Sequence, residues 1–240
     1  EGGVPGINAT NSSDKDVETH MGYFKYAGIL GGNFSATFAG TIDPCGNDGS
    51  RGSVCTGDAA ENAQDDMFTI GARQAGQLFG IDYRGEYYYQ WGEAQESADT
   101  LANGSTAYGA GVDREAYMFG VRIGKTFKNV TMKPSLTIWY DYLSGTDDSD
   151  LTGSTAKYKS FNPVFDTGHK FYGLQDLFLG IGTGAETNGT AGLGLQDLAV
   201  KTKMSPAPGW TLKADYHWFW TAESASANTN RGVFSRTTAA

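Results

Sequence analysis

The chain has 240 residues, a formal net charge of −9 and a mean hydropathy of −0.39. The acidic balance argues against a nucleic-acid-binding protein, because such proteins present basic surfaces. The sequence contains no run of about 18 consecutive apolar residues, which excludes a transmembrane helix. A membrane β-barrel stays open, because only every second residue of a barrel strand faces lipid.

Apolar and polar residues alternate with a period of two in eight stretches, which is the pattern of β-strands. In chain order these are His20–Ala27, Phe34–Ile42, Phe68–Arg73, Ile81–Trp91, Tyr117–Gly124, Pro134–Tyr142, Leu198–Met204 and Trp210–Trp220. The last stretch carries Trp210 at one end of its apolar face and Tyr216, Trp218 and Trp220 at the other. Aromatic rings prefer the membrane–water boundary, and a tilted strand of this length spans a bilayer. The pattern therefore favours a transmembrane β-barrel over a soluble β-sandwich.

The connections between these strands alternate in length. We expect short turns near Gly31, Gly76, Asn129 and Pro208, and long loops over residues 43–66, 92–114 and 144–191. Outer-membrane barrels have tight periplasmic turns and long outer loops. We therefore predict that residues 1–240 form one antiparallel outer-membrane barrel domain. The chain begins without a basic and apolar signal segment, so we expect a mature form or an internal piece.

Two cysteines, Cys45 and Cys55, lie in the first long loop. A disulfide is favoured over a metal site, because a metal needs more ligands and no histidine is near. A disulfide implies an oxidising compartment such as the periplasm or the cell surface.

The predicted strands carry their charges on one face only. We expect twelve ionisable side chains to line the interior: Lys25, Arg73, Arg84, Arg122, Lys201, Lys203 and Lys213, with Asp82, Glu86, Asp141 and Asp215, and with His217 beside them. The seven lysines and arginines exceed the four carboxylates, so one interpretation is a lumen that favours anions. The other interpretation is that these charges pair across strands and simply fill a wet lumen.

The third long loop is rich in aromatic residues. We expect it to turn inward and narrow the pore mouth, with Phe161, Phe165, Asp166, His169 and Tyr172 as its constriction residues. A hydrolase built on His169, Asp166 and Ser160 is disfavoured, because a triad is defined by geometry that the sequence does not show. The acidic run from Gly145 to Asp150 is interpreted as a solvated loop, since it lacks the spacing of a calcium-binding loop.

Four segments resemble the alginate-export family of outer-membrane barrels. They are YDYLSGTDD from Tyr140, FNPVFDTGHKFYGLQDLF from Phe161, LGLQDLAVKTKMSP from Leu193 and LKADYHWFWTAE from Leu212. The resemblance covers about residues 117–223 and, more loosely, 23–91, and it departs from the family pattern at SGTDD. It implies a monomeric barrel of about eighteen strands, so that this chain would supply part of a larger barrel.

The leading hypothesis is a channel in the bacterial outer membrane for passive passage of small polar or anionic solutes, including an anionic oligo- or polysaccharide. Its expected partners are outer-membrane lipid and these solutes; we expect no cofactor, metal or nucleic acid, and no enzymatic activity. The alternative is a structural barrel that encloses or contacts a partner protein, such as an electron-transfer component. Fold alone does not choose between them.

Overall fold

The computed structural model describes residues 18–43, 65–94, 112–151, 157–162 and 193–224. The strands are β1 (Glu18–Ile29), β2 (Gly32–Asp43), β3 (Asp65–Leu78), β4 (Ile81–Ala94), β5 (Val112–Thr126), β6 (Ser135–Leu143), β7 (Lys157–Tyr158), β8 (Leu195–Met204) and β9 (Leu212–Trp220). A 3-10 turn covers Asp148–Leu151. Within these ranges no helix has the length and apolar character needed to cross a membrane.

The strands form one sheet in the order β1-β2-β3-β4-β5-β6-β8-β9, with every neighbouring pair antiparallel. The eight long strands confirm the predicted all-β, antiparallel class. The two-residue strand β7 was not predicted; it pairs in parallel with β5 at Asp113 and Arg114, beyond the end of β6. In the described part of the chain, β1 and β9 are the two edges of the sheet.

Two of the short connections are two-residue turns, Leu30–Gly31 and Phe79–Gly80. All four residues have positive φ, as a type I′ hairpin turn requires. The turn predicted near Gly76 lies three residues further on, at Phe79–Gly80, because β3 continues to Leu78. Gly76 is instead a point of close approach: a Cβ added there would lie 2.6 Å from the Cα of its cross-strand partner Gly32. Glycine therefore allows two backbones to meet rather than the chain to reverse.

The last strand also differs from its prediction at one end. β9 begins at Leu212, so Trp210 lies outside the strand. The backbone N–H of Trp210 donates to the Ala207 carbonyl oxygen at 3.0 Å. That hydrogen bond closes the β8–β9 turn. The Trp210 ring is consequently exposed at the short-turn end of the sheet.

The sheet has one exposed oily face and one polar face that is covered over its central strands. Tyr87, Ile138 and Trp218 on the oily face are 52%, 53% and 48% exposed, whereas Gln90 and Asp141 on the polar face are 0% and 1% exposed. On the oily face, aromatic rings lie 5.3 to 6.4 Å apart in a series that includes Tyr87, Tyr117, Tyr142, Phe119, Tyr140 and Trp220. A soluble protein instead buries most of its large apolar side chains and exposes most of its charged and amide side chains.

Candidate pore-lining face

The strand register aligns the polar face into rows that cross the sheet. One row contains Lys25, Ser35, Arg73, Glu86, Gly120, Asp141, Asp197 and Phe219. The neighbouring row contains Asn33, Ala75, Arg84, Arg122, Trp139, Ala199 and His217. The first row therefore carries the carboxylates Glu86, Asp141 and Asp197, and the second carries Arg84 and Arg122. This arrangement brings opposite charges together between the rows.

The centre of the polar face is a buried network of ion pairs. Arg84 Nη2 lies 2.6 Å from Glu86 Oε2, and Arg122 Nη2 lies 3.1 Å from Asp141 Oδ2 and 3.6 Å from Glu86 Oε1. The two carboxylates converge over Gly120, where an added Cβ would be 2.5 Å from Asp141 Oδ1 and 3.0 Å from Glu86 Oε1. Any larger residue at position 120 would force the carboxylates apart.

A second group of paired charges lies on β8 and β9. His217 Nδ1 is 2.9 Å from both oxygens of the fully buried Asp197, and Lys201 Nζ is 3.4 Å from Asp215 Oδ2. Asp197 was missed because its strand was predicted to begin at Leu198, whereas β8 begins at Leu195. The alternation extends back to Asp197 and then inverts, because Gln196 lies on the oily face and Leu195 on the polar face.

Two further residues on this face were missed from the sequence. Arg114 belongs to this face because β5 begins at Val112, five residues before the predicted start at Tyr117. The guanidinium carbon of Arg114 lies 5.0 Å from the centre of the Tyr158 ring. Trp139 lies between two cations: Arg122 Cζ is 3.2 Å and Lys201 Nζ is 4.2 Å from its ring centroid. Cations held over an indole face are stabilised by its π electrons. The sequence signal for Trp139 was a tryptophan on the charged face of a predicted strand.

Of the remaining predicted residues, Arg73 borders the central network and the others lie towards the edges of the face. Asp82 accepts a hydrogen bond from Gln77 Nε2 at 2.7 Å, and Arg73 lies opposite Glu86 in register. Lys25 is exposed on the edge strand β1. Lys203 and Lys213 are direct cross-strand partners near the β8–β9 turn, and both are exposed. Among the described residues, neither of these two lysines makes an ion pair.

Part of the predicted constriction loop lies on the same face. Residues 157–162, which we name the strap, reach the wall at Gln90, and the backbone N–H of Phe161 donates to the Ser144 carbonyl oxygen at 3.0 Å. Phe165, Asp166, His169 and Tyr172 fall outside the described residues, as do Cys45 and Cys55.

The described part of the acidic run, between β6 and the strap, is held by protein groups. Asp147 Oδ1 accepts a hydrogen bond from the Ser149 backbone N–H at 2.9 Å, and Asp150 Oδ1 accepts one from Lys159 Nζ at 2.6 Å. This hydrogen bond from Lys159 to the Asp150 carboxylate raises the pKa of Lys159 above its ordinary value. In the part of the chain that the structure covers, no cluster of His, Cys, Asp or Glu is arranged to hold a metal ion.

Comparison with known families decides the wider assignment. The model of the family described as "Alginate export" matches residues 11–239. The chain belongs to the alginate export family. Alginate export proteins are bacterial outer-membrane β-barrels of the channel type and not enzymes, so the resemblance, the barrel class and the absence of enzymatic activity are confirmed. No similar curated protein and no similar solved structure was found.

Proposed function

We propose that this alginate export protein is a channel in the bacterial outer membrane that lets small polar or anionic solutes, including anionic oligo- or polysaccharide, pass passively. Its polar face lines the lumen, and its oily face contacts lipid. The observation that carries the proposal is the inverted burial of the sheet, with Tyr87, Ile138 and Trp218 exposed and Asp141 covered.

Lipid explains this inversion better than any aqueous surrounding. Apolar side chains exposed across a whole sheet face are costly in water, whereas hydrocarbon accepts them without cost. Charged groups are tolerated at membrane depth where they face a wet interior or pair with each other. The ion pairs of Arg84, Arg122 and Lys201 meet both conditions.

A conducting lumen calls for more strands than the described sheet supplies. An eight-strand barrel has an interior filled by side chains, and unpaired backbone groups at a strand edge are costly in lipid. We therefore place β1 and β9 against further strands in a barrel of about eighteen strands. In this arrangement residues 43–66, 92–114 and 144–191 contain the outer loops and the short turns face the periplasm.

The preference for anions rests on the two lysines at the short-turn end. The central cations have carboxylate partners, so they add little net field there. Lys203 and Lys213 instead oppose each other on neighbouring strands. Directly opposed like charges destabilise a sheet, and an anion between them removes the repulsion. Alginate, the cargo named by the family, is a chain of carboxylates that suits such a position.

The test is the current through single copies of the purified protein in a planar lipid bilayer. In a KCl gradient we expect a reversal potential whose sign corresponds to a preference for chloride over potassium. A preference for potassium would overturn the anion assignment, and a protein without conductance would overturn the channel. A stoichiometric partner protein recovered from the lumen, together with no conductance, would establish the structural barrel instead.

A further inference from the structure

Gln90 on β4 makes an unusual set of hydrogen bonds for a side chain on the wall of a wet lumen. Its Nε2 donates to the Asn162 carbonyl oxygen at 2.6 Å, and its Oε1 accepts the Asn162 backbone N–H at 2.8 Å. Nε2 also donates to Thr69 Oγ1 at 3.0 Å. The side chain is 0% exposed, and its cross-strand partner Ala116 is also fully buried. The Gln90 amide thus binds the strap backbone as a neighbouring strand would.

The middle of the strap is fixed at the point where the chain leaves β6. Ser144 Oγ donates to the Lys159 carbonyl oxygen at 2.6 Å and accepts the Tyr117 N–H at 2.9 Å. Ser144 alone therefore connects β5, the end of β6 and the strap, and it is buried. Thr146 Oγ1 and Ser160 Oγ, also buried, lie 2.7 Å apart.

The flanks of the strap carry charge pairs with the outer end of the wall. Lys157 pairs with Glu115 of β5, and Lys159 pairs with Asp150 of the 3-10 turn. The hydrogen bond to Glu115 raises the pKa of Lys157 above its ordinary value. These pairs are partly exposed, so they contribute less than the buried hydrogen bonds of Gln90 and Ser144.

We propose that Gln90 is a positioning residue that holds the strap on the inner wall and thereby sets the aperture of the outer mouth. This proposal rests on the channel function proposed above. A polypeptide segment lying on a sheet takes roughly 10 Å from the space beside it. A strap released from the wall moves out of the mouth into the outer water, so its release widens the channel.

Glutamine suits this role because the strap presents both a donor and an acceptor. The amide of Gln90 supplies one of each at the same depth. Glutamate would lack the donor, and lysine would lack the acceptor. Methionine has a similar length but supplies neither hydrogen bond, so Gln90→Met removes the interaction with little change in volume.

The experiment compares Gln90→Met with Gln77→Met in the whole protein. Gln77 lies on the same face of the same hairpin, at the other end of the sheet, and donates to Asp82. Loss of two buried hydrogen bonds should raise the released population about tenfold. We expect peptides covering Lys157–Asn162 to exchange amide hydrogen about tenfold faster in Gln90→Met, and a second, larger current level to be occupied about tenfold more often. Gln77→Met should change neither.

Ser144→Ala provides a second way to release the strap if Gln90→Met fails to insert. It should give the same two changes, and the double variant should give less than the product of both, because both residues hold one segment.

Each outcome decides a separate part of the proposal. Unchanged exchange in both variants would show that Gln90 does not hold the strap. Faster exchange with an unchanged current would overturn its control of the aperture. Absence of any wild-type current would overturn the channel, while the exchange measurement would still decide whether Gln90 positions the strap.

Discussion

Replacement of Arg122 by methionine should destabilise the folded protein more than any other single loss of charge on the polar face. The Arg122 guanidinium forms ion pairs with both Asp141 and Glu86, and it lies over the Trp139 ring. The Arg122, Asp141 and Glu86 side chains are 12%, 2% and 5% exposed, so water screens them little. Removing one partner of a buried pair typically costs about 3–5 kcal/mol. Arg84 still holds Glu86, so we expect about 3 kcal/mol.

The free energy of unfolding can be measured by urea titration of the protein folded into lipid vesicles. Lys213→Met is the matched control, because it removes an exposed cation from the same face; we expect a change within about 0.5 kcal/mol. Adding Asp141→Asn to Arg122→Met should recover part of the loss, since it removes the unpaired buried charge. The network would be refuted if Arg122→Met matched the control, or if the two effects simply added.

Three further predictions follow from other positions. Replacing Lys203 and Lys213 together by glutamate should move the reversal potential towards potassium, whereas replacing either alone should produce a smaller shift. Val121→Lys puts a charge in the middle of the oily face and should cost about 2–4 kcal/mol by the same urea titration; a cost near zero would argue against lipid contact. Phe79→Asn relieves a positive φ of 51° in a type I′ turn and should stabilise the fold by about 1 kcal/mol, seen as a higher urea midpoint.

The alternation of side chains located all eight long strands because the two faces of a strand between lipid and a wet interior differ in polarity. The errors lie at strand ends, where that difference weakens. Glycine permits both turns and close backbone approach, and only the register of Gly76 with Gly32 shows that Gly76 serves the second. Trp210 continued the alternation by sequence, although its backbone closes a turn.

The site was predictable as a set of charges on one face but not as a network. Which charges meet depends on the register of neighbouring strands, and a period of two carries no information about register. Asp197 and His217 meet because β8 and β9 are aligned, and Asp197 lay just before the predicted strand. Gln90 and Asn162 are 72 residues apart. The two residues of β7 are too few to show any pattern.

The placement of Trp139 gives the protein a built-in optical probe of its inner wall. Three of the five tryptophans, Trp91, Trp218 and Trp220, share the oily face, and Trp210 lies in a turn. Brominated acyl chains would quench the fluorescence of those three, so that in a Trp210→Phe variant the remaining emission would come from Trp139. Because Arg122 and Lys201 lie against the indole ring of Trp139, the wavelength and intensity of the Trp139 emission report on the charge beside this ring.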